Sequence, residues 1–331
     1  MKSLWVTALG ALLIAGPMTG CGFAGPLEGQ VYQSKGMMYL HPAFSLDGNS
    51  ILVEAYTLPT CSRDGSSCLA EPKSDVLLLR PDGAQIRDLT HGIGINRGAR
   101  WSADGQWIIF SSRRNGKTAT FRIRPDGSDM TKLTGTDAAD EESVVRRTEG
   151  PAVHADLHKE GIWVQSQGEG KRRKLADGMA IAWTPDGTAL FYRSPRAGFD
   201  KNADVRRISI DGTGDRLVLE GYSVSEGWGG DPRRFWDPRG LRLALAVCRE
   251  IGTLHGGVVV VDREGRVIGD FREGGFEYDN TASWSPDGNF VLIRKSGFAG
   301  RFAGVYLLDV RSGQQRLVIG DRVQVVKQGA D

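Results

Sequence analysis

The residues best suited to chemistry form three small sets. In His154-Ala-Asp156-Leu-His158, an extended chain would put all three polar side chains on one side, because successive side chains alternate. Two imidazoles and a carboxylate are a recognised metal set. Against it, His158 aligns with a turn position of the repeat described below, so no metal is expected, and His154, Asp156 and His158 stay the one set that would supply it. The acidic run Asp137–Glu142 lacks the ordered spacing of a calcium loop and reads as a solvated loop. The third set pairs arginines with aromatics: Arg146, Arg147, Trp228, Arg233, Arg234 and Tyr278. Arginine with Trp and Tyr is the composition of interface anchors. The plainer alternative is solvated loop charge and loop packing. No Gly-x-Ser-x-Gly elbow and no phosphate loop occurs, and Glu149, Glu226, Asp231, His255 and Glu277 are scattered. No cofactor is expected.

The N-terminal stretch points to export, and export bears on how the cysteines read. Lys2 precedes an apolar run over residues 4–15, too short for a membrane span, so residues 1–20 read as a signal peptide. Met18-Thr19-Gly20-Cys21 resembles a bacterial lipobox, with Met18 departing from the usual leucine; it implies cleavage before Cys21 and lipidation there. The alternative is an ordinary secretory signal. In an oxidising compartment, Cys61 and Cys68, which flank a polar glycine-containing loop, read as a disulfide worth about 2–3 kcal/mol; metal or redox chemistry is the alternative. Cys248 lies in an apolar strand and reads as a buried thiol.

A repeated stretch organises the chain. "PAFSLDGNSILVEAY", "ARWSADGQWIIFSSR", "IAWTPDGTALFYRS", "FWDPRGLRLALAV" and "ASWSPDGNFVLIR" each give a strand ending in an aromatic, an Asp-Gly-type turn and an apolar strand. Pro and Gly set the backbone of such turns. The 45 glycines among 331 residues fit many tight turns. A third and a fourth strand follow, joined by another Asp/Gly turn. A decayed copy is read from Val153, with residues 158–161 at its first turn, "IWVQS" as its second strand and "KRRKLA" as its closing strand. That basic strand reads as a protected edge, or as a contact to anionic headgroups.

The pattern resembles the WD40-like repeat of the TolB type over roughly residues 40–321. The resemblance implies an all-β, six-bladed β-propeller of four-stranded antiparallel blades. The expected organisation is a tether over 21–38, a propeller over 39–321 and a tail over 322–331. Its blades are placed at about 39–92, 96–135, 150–178, 179–221, 232–272 and 280–321. The α/β domain that precedes the propeller in TolB is not expected here.

In a meander, connections alternate between the two strand ends. The first–second and third–fourth connections are tight; the second–third connections and the links between blades are long, including 135–150, 220–234 and 272–281. Elaborated loops on a rigid scaffold commonly hold function. The sequence therefore reads as a monomeric binding or scaffold module of the cell envelope that recognises a protein or peptide partner, with the N-terminal lipid in the membrane. A net charge of +2 gives no argument for nucleic acid. The alternatives are a propeller lyase or hydrolase acting on a glycan or lactone at the channel mouth, and a small-ligand sensor.

Overall fold

The computed structural model describes residues 33–58, 73–133, 153–155, 161–165, 172–195, 203–224, 235–249, 255–274, 276–297 and 303–326. All the regular elements among them are β-strands, in one nine-stranded sheet and four smaller sheets. In chain order we group them into six units, of which units 1 and 2 share the nine-stranded sheet through a parallel bridge between Ser74 and Ile95. Unit 1 holds β1 (Gln33–Phe44), β2 (Ile51–Leu58), β3 (Lys73–Leu79) and β4 (Gln85–Asp88). Unit 2 holds β5 (Ile95–Trp101), β6 (Ile108–Arg114), β7 (Lys117–Ile123) and β8 (Thr131–Lys132). In unit 3 the described strands are β9 (Val153–Ala155), β10 (Ile162–Gln165) and β11 (Arg172–Ala176). Unit 4 comprises β12 (Met179–Trp183), β13 (Ala189–Pro195), β14 (Ala203–Ser209) and β15 (Arg216–Leu219).

Unit 5 comprises β16 (Ser223–Val224), β17 (Arg242–Arg249), β18 (His255–Asp262) and β19 (Val267–Gly274). Unit 6 runs through β20 (Phe276–Trp284), β21 (Phe290–Gly297), β22 (Gly304–Asp309) and β23 (Gln315–Gly320). A last strand, β24 (Arg322–Val326), returns to pair with the start of β1, Gln33 opposite Val326.

The Asp-Gly stretches form the tight turns expected of them. Ser45, Ser102, Thr184 and Ser285 each donate a hydroxyl hydrogen bond of 2.5–2.6 Å to the aspartate two residues on. The turn glycine takes a left-handed backbone, at φ 74° for Gly48 and 71° for Gly288, which a side chain would strain. That hydroxyl bond is the first cause holding Asp47, Asp104, Asp186 and Asp287 below the usual carboxylate range, Asp186 at about 2.

Apolar faces of neighbouring units make shared cores. One cluster joins Phe191 and Val205 of unit 4 to Leu245 and Val259 of unit 5, and another joins Val258 of unit 5 to Ile293 of unit 6. Ile162 of unit 3 packs with Tyr192 of unit 4, and Leu78 of unit 1 with Phe110 of unit 2. Units 6 and 1 share a core of the same kind, with Leu292 and Val305 against Ile51, Val53 and Leu77. Full burial of each large side chain contributes about 1.5–3 kcal/mol, and no unit could bury its face alone.

A second contact repeats at the same steps. Where it lies among the described residues, the third–fourth turn of a unit rests on the fourth strand of the unit before it: Gly127 on Arg87, Gly265 on Val218, Gly313 on Phe271 and Gly83, of unit 1, on Val318 of unit 6. Gly212 of unit 4 lies in the same way against Arg173 and Leu175. This fixes β11 as a fourth strand, β10 as a third and β9 as a second. The sequence reading of unit 3 is therefore shifted: "IWVQS" is the third strand, and 156–160 joins the second strand to the third rather than the first to the second. The misreading has a physical source, because "QGEG" after β10 carries the same turn chemistry as "DREG" after β18. Among the described residues unit 3 has no first strand.

Four other boundaries move. Residues 33–37 and 322–326, expected as tether and tail, are ladder partners. Unit 5 begins at Ser223, not 232, because Ser223 and Val224 pair with Cys248 and Val247. Residues 272–274 and 276–281, expected in a link, belong to β19 and β20, and Tyr278 lies opposite Lys295. Pairing between distant segments leaves little local signature, which is why sequence pattern alone misplaced them.

Candidate functional site

The first strand of a unit is interrupted at one recurring place, two to four residues before its terminal aromatic. In β1 the register slips between Leu40 and Ala43, and in β5 between Arg97 and Arg100. The slip lies between Ala180 and Ala182 in β12, and between Asp279 and Ala282 in β20. Such bulges re-aim side chains. In unit 5 the same place holds a long insertion: Val224 pairs with Val247, Trp236 with Leu243, and residues 225–235 stand between them. The stretch carrying Trp228, Arg233 and Arg234 thus opens from within a first strand and is not a link between units.

Beside the bulges of units 1 and 2 lies a polar cluster around Glu54, whose residue is fully buried. Its carboxylate accepts the Ala99 backbone N–H at 2.8 Å, from the bulge of β5, and the Tyr56 hydroxyl at 3.0 Å. His41, from the bulge of β1, places Nδ1 3.2 Å from the same carboxylate, with 47% of its side chain exposed. Burial first, then the Glu54 charge, pushes the Tyr56 hydroxyl far above its usual range, so it remains a donor. The Arg97 guanidinium stands 6.0 Å from the Tyr56 ring centre. It makes no salt bridge among the described residues, and its Nε is buried without a hydrogen-bond partner.

His41 pays for this placement with its backbone. Its φ is 52° and the next residue is Pro42. Left-handed backbone costs a non-glycine residue roughly 1–3 kcal/mol, and a following proline disfavours helical conformations further. A buried carboxylate on one ring nitrogen fixes the orientation of an imidazole, an arrangement used where protons are exchanged.

The position of Glu54, seven residues after the turn aspartate, is occupied in unit 6 by Arg294, which is also buried. Arg294 pairs with Asp321 at 2.6 Å, both side chains 2% exposed. Asp321 in turn accepts the Tyr39 backbone N–H at 3.2 Å. One charge therefore bridges units 1 and 2 and the other bridges units 6 and 1. Next to Arg294, Lys295 pairs with Glu273 and lies 4.6 Å from the Tyr306 ring centre.

The residues singled out from sequence are mostly not addressed by this geometry. Cys21, Cys61, Cys68, Arg146, Arg147, Asp156, His158, Trp228, Arg233 and Arg234 lie outside the described residues. For His154 and Tyr278 only the backbone is described, His154 opposite Trp163 in unit 3. Among the described residues no group of three or more His, Cys, Asp or Glu is arranged to hold a metal. The Glu54 cluster was missed by sequence reading. Its available signal was a carboxylate and a phenol at alternate positions of an otherwise apolar strand, in "ILVEAY".

No protein-family model matches the chain. A segment of 60 residues is 40% identical to "Uncharacterized protein Atu1656" of Agrobacterium fabrum, covering 18% of this chain and about a fifth, 20%, of that protein. Among solved structures, an oligogalacturonate lyase in complex with manganese is similar over 87% of this chain and 78% of its own, at 15% identity and TM-score 0.39. A structure assigned to TolB from Agrobacterium tumefaciens is similar over 90% and 100%, at 14% and 0.29. The β-propeller domain of the Trilobed protease from Pyrococcus furiosus is similar over 85% and 81%, at 11% and 0.36. Likeness at this level carries no chemistry to the present chain.

Proposed function

We propose that the six units close into a six-bladed β-propeller of the TolB-like repeat type, and that it works as a recognition module of the bacterial cell envelope. Support for closure is the sameness of the step from unit 6 to unit 1: a shared core and a third–fourth turn resting on a fourth strand, as at the other described steps. The export reading supplies the rest: a signal peptide over 1–20, a lipid on Cys21 in the membrane and a disulfide between Cys61 and Cys68.

The observation that carries the recognition reading is the opened first strand of unit 5. Where the other described first strands slip by one or two residues, this one admits residues 225–235. Those residues include Trp228, Arg233 and Arg234, the anchor types of interfaces. Arg146, Arg147 and Tyr278 are assigned to the same partner surface, and the partner is an envelope protein or peptide. The test is crosslinking in native envelopes, then affinity capture and mass spectrometry, with an Arg233→Glu/Arg234→Glu chain in parallel. A stoichiometric partner held by the unaltered chain and lost by the variant supports the reading. Equal capture by both, or by neither, rejects it.

A second reading is catalytic: a lyase or hydrolase acting on a glycan or lactone. The observation in its favour is the imidazole of His41 aimed by Glu54 beside Tyr56 and Arg97. The comparisons do not rank recognition above catalysis.

A further inference from the structure

We infer that a groove among the tight turns of units 5 and 6 receives the C-terminal end of a peptide chain. Arg239 and Arg263 take its carboxylate, and Leu241 and Ile268 take an apolar last side chain. The groove shares no residue with the unit 5 insertion, so the inference survives or fails separately from the partner reading.

The groove has a volume of about 650 Å3, within the range of ligand sites. It is lined by the first–second and third–fourth turns of unit 5 and the first–second turn of unit 6. Unit 5 departs here from the turn chemistry of units 1, 2, 4 and 6. Those place an aspartate before the turn glycine, where it accepts a Ser or Thr hydroxyl. In unit 5 the carboxylate stands in the hydroxyl's place: buried Asp237 accepts the backbone N–H of Leu241 at 2.7 Å and of Arg242 at 3.1 Å. The turn is complete without the side chain before Gly240, and that residue is Arg239.

The carboxylates of the groove are already engaged. Asp237 also accepts Arg242 Nε at 2.8 Å, and Asp262 accepts the Arg266 backbone N–H and Nε at 2.8 and 2.6 Å. Glu264 pairs with Arg266 at 3.2 Å, and Asp287 accepts the Ser285 hydroxyl and the Asn289 backbone N–H. Arg239 and Arg263 make no ion pair among the described residues. Arg263 is nevertheless held in place, because its Nε donates to the Gly240 carbonyl at 2.5 Å. One guanidinium is thereby seated on the residue that separates Arg239 from Leu241, and all three residues line the same groove.

The apolar component is the second observation. Leu241 is 50% exposed and Ile268 52%. A single exposed hydrophobic residue is ordinary; two lining one groove beside unpaired guanidiniums have the composition of a binding site. A guanidinium fork matches both oxygens of a carboxylate. The last residue of a peptide carries a carboxylate and a side chain on the same Cα, and capture of that carboxylate is a recurring recognition mode. An internal Asp or Glu fits less well, because on an extended chain its apolar neighbour points to the opposite side.

The test titrates the full chain by calorimetry with N-acetyl-Ala-Ala-Leu bearing a free carboxylate, with its C-terminal amide, and with N-acetyl-Ala-Ala-Ala. The free acid ending in Leu should bind with a Kd of about 0.1–1 mM. The amide should bind at least about tenfold more weakly, having lost the charge-assisted bonds, and the peptide ending in Ala at least about fivefold. Arg239→Glu should weaken binding at least about tenfold and Leu241→Ser at least about threefold. Both side chains are exposed, and thermal midpoints show that each variant folds. The Arg233→Glu/Arg234→Glu chain should bind the peptide as the unaltered chain does. Absence of saturable binding overturns the proposal, as does equal affinity for acid and amide, or for Arg239→Glu and the unaltered chain. Loss of binding in the Arg233→Glu/Arg234→Glu chain overturns it too, by moving the site to the insertion. Should Arg239→Glu not fold, Arg239→Gln and Leu241→Ser decide by the same criteria.

Discussion

The indole N–H of Trp236 donates to the backbone carbonyl of Trp183 at 2.7 Å, so the aromatic closing one first strand is fastened to the aromatic closing the previous one. Trp284 does the same to Phe235 at 2.9 Å and Trp101 to Ala43 at a longer 3.4 Å. Phe44 has no indole, and at that step its backbone N–H donates to Ser283 Oγ at 3.3 Å. The repeated tryptophan is thus a tie between units as well as a core side chain. Trp236→Phe removes a buried donor and leaves volume unfilled, so it should destabilise by about 2–4 kcal/mol. Trp101→Phe should cost less, because its bond is long. Urea unfolding of both variants measures the difference.

Arg294 and Asp321 form a buried pair whose loss should be felt at the step from unit 6 to unit 1. Asp321→Ala removes the carboxylate paired with the buried Arg294 and should cost about 3–5 kcal/mol. The double variant Arg294→Met/Asp321→Ala should lose less than the sum of its singles, because the second change removes the buried charge as well. A double-mutant cycle from unfolding curves checks this; strict additivity would mean that the pair is not coupled.

Gly83 permits another part of the same contact. A methyl group there would stand 1.9 Å from the Val318 carbonyl oxygen, and φ at Gly83 is 90°. Gly83→Ala should therefore destabilise by more than about 1 kcal/mol. Gly92→Ala shares the positive φ but meets nothing within 4 Å, so the gap between the two in thermal unfolding isolates the clash.

Acid should weaken the tight turns. The carboxyls of Asp47, Asp104, Asp186 and Asp287 are held low by hydroxyl and backbone donors. A depressed pKa contributes stability that is complete above the unfolded value of about 3.9 and is lost as pH falls through the folded value. For Asp186 that window runs down to about 2. The urea midpoint should fall between about pH 5 and about pH 2.5, and Asp186→Asn should show a smaller fall than the unaltered chain.

The repeat was legible because its signals are local. Ser or Thr, Asp and Gly at fixed offsets make the turn, an aromatic ends the strand before it, and an apolar run follows. Unit 3 blurred because "QGEG" resembles the turn after a third strand while "HKEG" resembles one after a first. The Glu54 cluster was hidden for another reason. Its members come from β1, β2 and β5, and Ala99 contributes only a backbone N–H, which leaves no trace in a side-chain pattern. Arg97 was visible as a charge near the elaborated end, but its lack of a salt bridge among the described residues is a property of the packed chain.

The pairing of Gln33 with Val326 also has a directional meaning. β1 runs toward its tight turn at 45–50, so both ends of the folded body emerge at the opposite pole, side by side. A leash from a lipid on Cys21 would enter at the pole of the long connections, and the economical pole would face away from the membrane. Anything fused to the C-terminus would share that crowded, membrane-proximal ground. A fluorophore or tag set into a tight turn would instead look outward, and a head-to-tail join would need only a short bridge.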